Sequence, residues 1–324
     1  MTPPTRAAPT LRLVEPNDPE YQRQLQAEAE FWDQPSLVSV DTELPATDAY
    51  WNERFTGDPA TPWYDTVPRY GAFQRGCSLG TGGLKQNGRL LELCPALHLT
   101  IYDISEASLA RFEQDLGARF PGRVSIERAD LNFVQLPERG FDLIVSEGTL
   151  HHIVNLEHLA AQIDRALAPE GRFFLRDYVG GARFQFPEEQ KRRFEDALAK
   201  AGTRDASLRG LRVDWPSPDP WSYSPFEAVR SDETLAVLRR RLSEVSVESA
   251  GQLVGLLLFV RPGEARRPGL LSRLLRRAGP ADHMENLGRL AGRLLEADRA
   301  LSGAPGLLPT NAFAVYRKKQ KTAP

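Results

Sequence analysis

Between Gly71 and about Tyr178, short apolar runs alternate with stretches whose apolar positions recur every three or four residues, the pattern of βαβ units that build a parallel sheet. The runs predict strands at Gly76–Leu79, Leu97–Tyr102, Val124–Arg128, Phe141–Val145 and Arg172–Leu175. Helices are predicted at Gly88–Cys94, Glu106–Leu116 and Leu156–Leu167, the last stopped by the Pro-Glu-Gly turn at 169–171. Ahead of this core, the segment from Pro19 to near Asp33 reads as a helix, and TDAYWNERFTGD as a second one with Thr47 placed to cap it. Behind the core come FPEEQKRRFEDALAKAG, an amphipathic helix ending at Gly202, and a Pro- and Trp-rich loop from Trp215 to Trp221. A helix at Asp232–Leu242 then leads to strands at Val245–Ser249 and Asn311–Lys319, with Leu- and Arg-rich helix between those two. The chain divides accordingly: a Pro- and Ala-rich start at 1–18 expected to be disordered, an aromatic helical cap at 19–70, the α/β core at 71–180, a helix and substrate loop at 181–243, edge strands with a helical insertion at 244–319, and a tail at 320–324.

Composition acts on this picture by exclusion. The 324 residues carry 41 Lys plus Arg against 43 Asp plus Glu, a net charge of −2, so nothing points to nucleic acid as a partner. Two cysteines, Cys77 and Cys94, supply neither a disulfide framework nor a Cys-rich metal site. The N-terminus lacks an apolar leader and the longest apolar run, Leu253 to Val260, falls short of a membrane span, so a cytoplasmic protein is expected. The near-zero sum conceals a gradient: residues 1–70 hold 5 basic and 12 acidic groups, residues 261–324 hold 13 and 5. The basic end meets an anionic partner, or the two ends pack on each other, or, as surface charge most often does, both are solvated faces with no specific partner.

The strongest local chemistry is SLGTGG at Ser78–Gly83, where a strand enters a turn. Glycines there let the backbone adopt positive φ and let a ligand lie on it, and free amides at the next helix start suit a polar or anionic group. The dinucleotide fingerprint is incomplete, since Lys85 stands where a third Gly belongs. An ordered series follows. Asp103 ends the next strand, about twenty residues on, where a carboxylate can accept ribose hydroxyls. Asp130, beside Leu131, ends the third, and Glu147, His151 and His152 follow the fourth. All lie at the carboxyl ends of consecutive parallel strands, where open α/β sheets bind ligands.

The order SLGTGG, IYDIS, RADL, FDLIVSEGTLHHI and RALAPEGRFFLRDYVG resembles the class I S-adenosylmethionine-dependent methyltransferase family over about residues 71–180. The resemblance implies a Rossmann-like α/β fold with a seven-stranded, mostly parallel sheet and Val245–Ser249 and Phe313–Arg317 as an antiparallel pair at its edge. It implies S-adenosyl-L-methionine as cofactor: Gly80 and Gly82 at its methionyl part, Asp103 on the ribose, Ile104 against the adenine, and Asp130 with Leu131 at the adenine edge, with Ser78, Thr81 and Glu147 also among the cofactor-binding residues. Two positions depart from the family pattern, Ser78 in place of an acidic residue and Leu84 in place of the third Gly, with Gly83 extra. The segments DYVGGARFQFPEEQ and SPFEAVRSDETLAVLRRRL are similar to a bacterial subgroup often encoded among surface-glycan or natural-product genes.

Methyl transfer to a hydroxyl needs alignment and a proton acceptor. His151 or His152 is the natural base, only one of them expected to face the site because neighbours at a helix start diverge, and by the resemblance Asp177 assists. Tyr178, Arg183, Gln185, Glu227 and Arg230 are candidates for the acceptor subsite, or for structural pairs such as Glu227 with Arg230. Glu147, Asp177 and the histidines match no metal motif, so no resident metal is expected. The reading is methyl transfer to a small-molecule or sugar hydroxyl. Its alternatives are N-methylation of an amino sugar or peptide amine, and a non-catalytic protein docking on membranes through Arg266, Arg267, Arg273, Arg276 and Arg277.

Overall fold

A computed structural model describes residues 13–33, 45–217, 224–262 and 280–320. Its central sheet has seven strands: β1 (Arg75–Leu79), β2 (His98–Asp103), β3 (Val124–Arg128), β4 (Phe141–Glu147), β5 (Leu167–Tyr178), β7 (Leu242–Ala250) and β9 (Asn311–Lys318). Their order across the sheet is β3-β2-β1-β4-β5-β9-β7, the first five parallel and β9 antiparallel to both of its neighbours. The expected antiparallel pair is therefore present, with β9 inserted beside β5 and β7 forming the edge. Strand order reverses between β1 and β4, which opens a crevice at their carboxyl ends.

Strands buried on both faces read as apolar runs because helices cover each side. Along β4, Leu143 and Val145 face one layer and Ile144 the other; along β5, Phe174 opposes Phe173 and Leu175 in the same way. The first layer holds α3 (Leu84–Leu93) and α4 (Glu106–Arg119), the second α5 (Leu156–Ala166) and α7 (Thr234–Arg241). The turn at 169–171 does not stop α5, which ends three residues earlier at Ala166. Instead residues 168–171 loop out within a register shift, Phe141 pairing Leu167 and Leu143 pairing Arg172.

The cap is helix α1 (Pro19–Trp32) and helix α2 (Pro45–Thr56). Asp18 caps α1 by accepting from the Glu20 amide, with Pro19 in the first turn. Thr47 is not a cap, because α2 already starts at Pro45 and Thr47 is buried inside it. Order also begins earlier than expected: Val14 is buried and exchanges two hydrogen bonds with the Asn155 side chain. Residues 1–12 of that expected disordered start lie outside the described residues.

The insertion helix α8 (Pro280–Leu301) lies against α2. Buried Asp298 accepts from the Tyr50 hydroxyl and from the amides of Leu253 and Val254, while Arg299 pairs Glu53 at 2.5 Å. Thus, of the readings of the charge gradient, the ends meeting each other holds for these two helices. The arginines proposed for membrane docking, at 266–277, lie outside the described residues, as does the substrate loop beyond 217. The apolar run at 253–260 is a buried 3-10 turn leading into β8 (Val260–Pro262), which pairs β6 (Leu211–Val213) in a small sheet the sequence pattern did not predict. Helix α6 (Glu188–Arg204) completes this side, running two residues beyond Gly202. Among the described residues no helix is long and apolar enough to cross a membrane.

Candidate active site

The glycine turn after β1 has the backbone that its sequence demands. Gly80 and Gly82 sit at φ +84° and +53°, and a Cβ on Gly80 would stand 2.1 Å from Thr149 Oγ1. At Gly82 the added atom would lie 3.3 Å from the Glu147 carbonyl oxygen. Gly83, extra to the family pattern, is the N-cap residue just ahead of α3, and Gln86 fills the space beside it. The buried Ser78 hydroxyl donates to the Gly80 carbonyl at 2.8 Å, so it braces the turn from within.

The predicted cofactor residues line the rim beyond this turn. Asp103, ending β2, accepts from the Thr81 amide (2.7 Å) and hydroxyl (2.9 Å) and from the Ser105 amide. Ile104 beside it is half-buried. Asp130, after β3, accepts from the Tyr21 hydroxyl at 2.6 Å and the Asn132 amide at 2.9 Å, with Leu131 buried next to it. Glu147 accepts from the Trp63 indole at 3.2 Å, while its Oε2 is buried without a hydrogen bond among the described residues. Burial pushes its carboxyl above the ordinary range, against the pull of Arg176.

Thr149 joins this rim to a second group. Its amide and that of Leu150 donate to Asp177 Oδ2, and Asp177 Oδ1 meets His151 Nδ1 at 2.5 Å. His151 Nε2 lies 3.2 Å from Glu227, and His152 lies between Glu28 (Nδ1, 2.9 Å) and Glu227 (Nε2, 3.7 Å). Against the expectation that only one histidine faces the site, the short 3-10 turn at Leu150–His152 sets the two rings 4.1 Å apart with planes tilted by 43° and turns both toward Glu227. Burial opposes the charge on His151, but Asp177 and Glu227 outweigh it and push the ring up to about 10. Burial likewise opposes the charge on Glu227, yet the two imidazoles hold it down to about 2.

The remaining acceptor candidates separate. Tyr178 presents its ring 6.0 Å from His151 and donates its hydroxyl to Gly181. Arg183, itself at φ +53°, donates to the carbonyls of Pro225 and Glu227 and so braces the segment that carries Glu227. Gln185 binds backbone carbonyls of Arg183 and Pro216. Arg230 does not belong to the subsite: its buried guanidinium donates to Glu157, Glu233 and the Val154 carbonyl. Nor does it pair with Glu227, since the residues after 230 turn it toward α5.

Helix α1 supplies what the sequence reading missed. Tyr21, Leu25, Glu28 and Trp32 recur at helical spacing on one face. Tyr21 reaches Asp130, buried Glu28 reaches His152 and the Phe226 amide, and Trp32 packs edge-on against His152. A glutamate within an otherwise apolar stripe was the available signal. At its end, Asp33 accepts from the Ser105 hydroxyl, so α1 crosses the crevice from the β2 side to the histidines.

Residues 77–175 match the family model described as a methyltransferase domain, and the strand order is that of the class I methyltransferase fold. A curated relative, the ubiquinone/menaquinone biosynthesis C-methyltransferase UbiE of Methylobacterium nodulans, is 30% identical over 84 residues, which cover 26% of this chain. The match spans 33% of that relative. Phosphoethanolamine N-methyltransferase 2 of Haemonchus contortus, solved with S-adenosyl-L-methionine, aligns at 18% identity and TM-score 0.48 over 90% of this chain and 60% of its own. A geranyl diphosphate methyltransferase solved with the same cofactor aligns at 12% identity and TM-score 0.46, over 97% and 96% of the two chains.

Proposed function

We propose that the protein is an S-adenosylmethionine-dependent methyltransferase acting on a hydroxyl of a small-molecule or sugar acceptor. The observation that carries this is the physical continuity of the two groups: Thr149 closes over Gly80 of the ligand turn and donates its amide to Asp177, the residue that holds His151. The cofactor fits the rim. Gly80 and Gly82 let the turn take positive φ with Thr149 and Glu147 packed where a Cβ would stand, and Glu147 Oε2 is a buried oxygen without a hydrogen bond among the described residues, suited to the ammonium of the methionyl part. Asp103 would hold the ribose, Ile104 the adenine face, and Asp130 with Leu131 the adenine edge.

When bound, the cofactor supplies an electrophilic methyl group on a sulfonium. The protein's part is to align the acceptor and receive its proton. Asp177, itself held by two amides, fixes His151 with Nε2 directed at Glu227. With Glu227 on that nitrogen the ring keeps its own proton, so the resting site is an ion pair rather than a free base. An acceptor hydroxyl that displaces Glu227, which carries the Nε2 proton away with it, leaves His151 neutral and held by Asp177 alone, and Nε2 then takes the hydroxyl proton. Tyr178 and the aromatic face of α1 exclude water from this step.

Calorimetry with S-adenosylmethionine tests the cofactor assignment: Asp103→Ala is expected to abolish binding, and unchanged affinity would sink it. His151→Ala should lower methylation of a hydroxyl acceptor by about 100-fold or more, with cofactor affinity retained; full activity would remove the base. One observation favours a second reading, N-methylation of an amine. Glu28, Asp177 and Glu227 bring three carboxylates to two imidazoles, a setting that attracts an ammonium. A rate that follows the acceptor's own pKa would select it.

A further inference from the structure

His151, His152 and Glu227 each present one ligand atom, and these atoms lie within 4.8 Å of one another. His151 Nε2 is 3.2 Å from one Glu227 oxygen and His152 Nε2 is 3.7 Å from the other. Ligands on a tetrahedral ion with bonds of about 2.0–2.1 Å stand roughly 3.4 Å apart, so a set within 4.8 Å closes on an ion by small side-chain shifts. The far nitrogen of each ring meets a different buried carboxylate, Asp177 for His151 and Glu28 for His152. For His151 that is the arrangement by which a metal-binding imidazole is fixed with its other nitrogen facing the ion, while Glu28 stands beside His152 Nδ1 as a neighbouring charge. A second observation is independent of the spacing: His152 is nine-tenths buried, yet neither of its ring nitrogens makes a hydrogen bond among the described residues, and Nε2 is the one directed toward Glu227. A buried polar atom without a partner is costly unless something binds it.

We infer that His151, His152 and Glu227 bind a divalent first-row transition-metal ion. Two imidazoles and one carboxylate suit zinc, iron or manganese better than magnesium or calcium, which prefer oxygen throughout. Three protein ligands leave at least one coordination position for an outside oxygen, as in catalytic rather than structural sites. The ion takes the place of the proton shared by His151 and Glu227, and that proton leaves to solvent.

The site stands on the side-chain geometry alone, whereas its use rests on the methyl-transfer reading. There an acceptor hydroxyl coordinates the ion, its O–H bond breaks with the proton passing to water, and the oxygen lone pair forms the new bond to the methyl carbon. The electrons of the broken S–C bond remain on sulfur, giving a neutral thioether. Lewis-acid activation then replaces proton uptake by His151.

The full chain, stripped with a chelator and titrated with Co²⁺, tests the site through visible d–d absorption, with S-adenosylmethionine binding measured on the same samples by calorimetry. One Co²⁺ per chain, displaced by Zn²⁺, is expected in the wild type. Glu227→Gln and His152→Ala should abolish the bands, and Glu28→Gln, which alters the carboxylate beside the far nitrogen of His152 and removes no ligand atom, should weaken binding by about 10- to 100-fold. Retained cofactor binding and circular dichroism show that the variants fold; should His152→Ala fail to, the near-isosteric Glu227→Gln and Glu28→Gln decide. No Co²⁺ uptake by the wild type, or uptake unchanged in these variants, overturns the ion site. Co²⁺ uptake without any affinity for S-adenosylmethionine would support the ion site and overturn the methyl-transfer reading instead.

Discussion

At the scale of residues, Glu147 joins stability to binding. Burial raises its folded pKa above the unfolded value, so the folded state holds a proton that the unfolded chain has already released. Stability contributed by that proton is complete below the ordinary carboxylate pKa and is lost as pH rises through the folded one. Glu147→Gln mimics the protonated form and escapes this loss. The variant should melt higher than wild type at pH 7, the difference vanishing in acid, and should bind S-adenosylmethionine more weakly; scanning calorimetry and titration read the two effects. Legibility in the sequence differs sharply between residue types here. Gly80, Gly82 and Asp103 were readable because positive φ and a strand-end carboxylate are local requirements. Arg230 was not: its partners Glu157 and Glu233 lie one on a distant helix and one a turn away, and spacing alone offered Glu227 equally well.

At the scale of elements, α1 is the piece whose role the fold decides. Its amphipathic spacing foretold a helix on the core, but not that Tyr21 would share a hydrogen-bond network with Asp130 and Asn132. Tyr21→Phe leaves both of those groups short of a partner. A loss of about 1–3 kcal/mol in denaturant unfolding is expected, together with faster amide exchange in 19–32. Unchanged stability would mean that water replaces the hydroxyl and that α1 is held by its apolar face alone. Strands β1 and β4 were legible to within two residues because burial on both faces imposes an apolar run, whereas β6 and β8, three residues each, are too short to impose any pattern.

For the whole molecule, the cap and the sheet form one binding unit. Helix α1 rests on residues that end β2, β3 and β4, so a ligand occupying the rim also stabilises the cap. S-Adenosylhomocysteine at a hundred times its Kd should stabilise the fold by about 2.7 kcal/mol, and should slow amide exchange in α1 as well as in α3. Exchange slowed in α3 alone would show that the cap moves independently of the sheet. The acidic start and basic end belong to this unit too, since Glu53 and Tyr50 of α2 meet Arg299 and Asp298 of α8. The charge gradient is thus partly an internal docking surface.

By itself the sequence determined the order and type of the core elements, the glycine turn and the two strand-end aspartates, because each follows from the conformational needs of a few consecutive residues. Only the tertiary structure decided which side chains meet. Glu28 and the Phe226 amide, 198 residues apart, are brought to the same pair of histidines by the crossing of a helix over the sheet. Periodicity reports which face of an element is buried, never what that face will touch, so the carboxylate and imidazole cluster at the mouth of the crevice exists only in three dimensions.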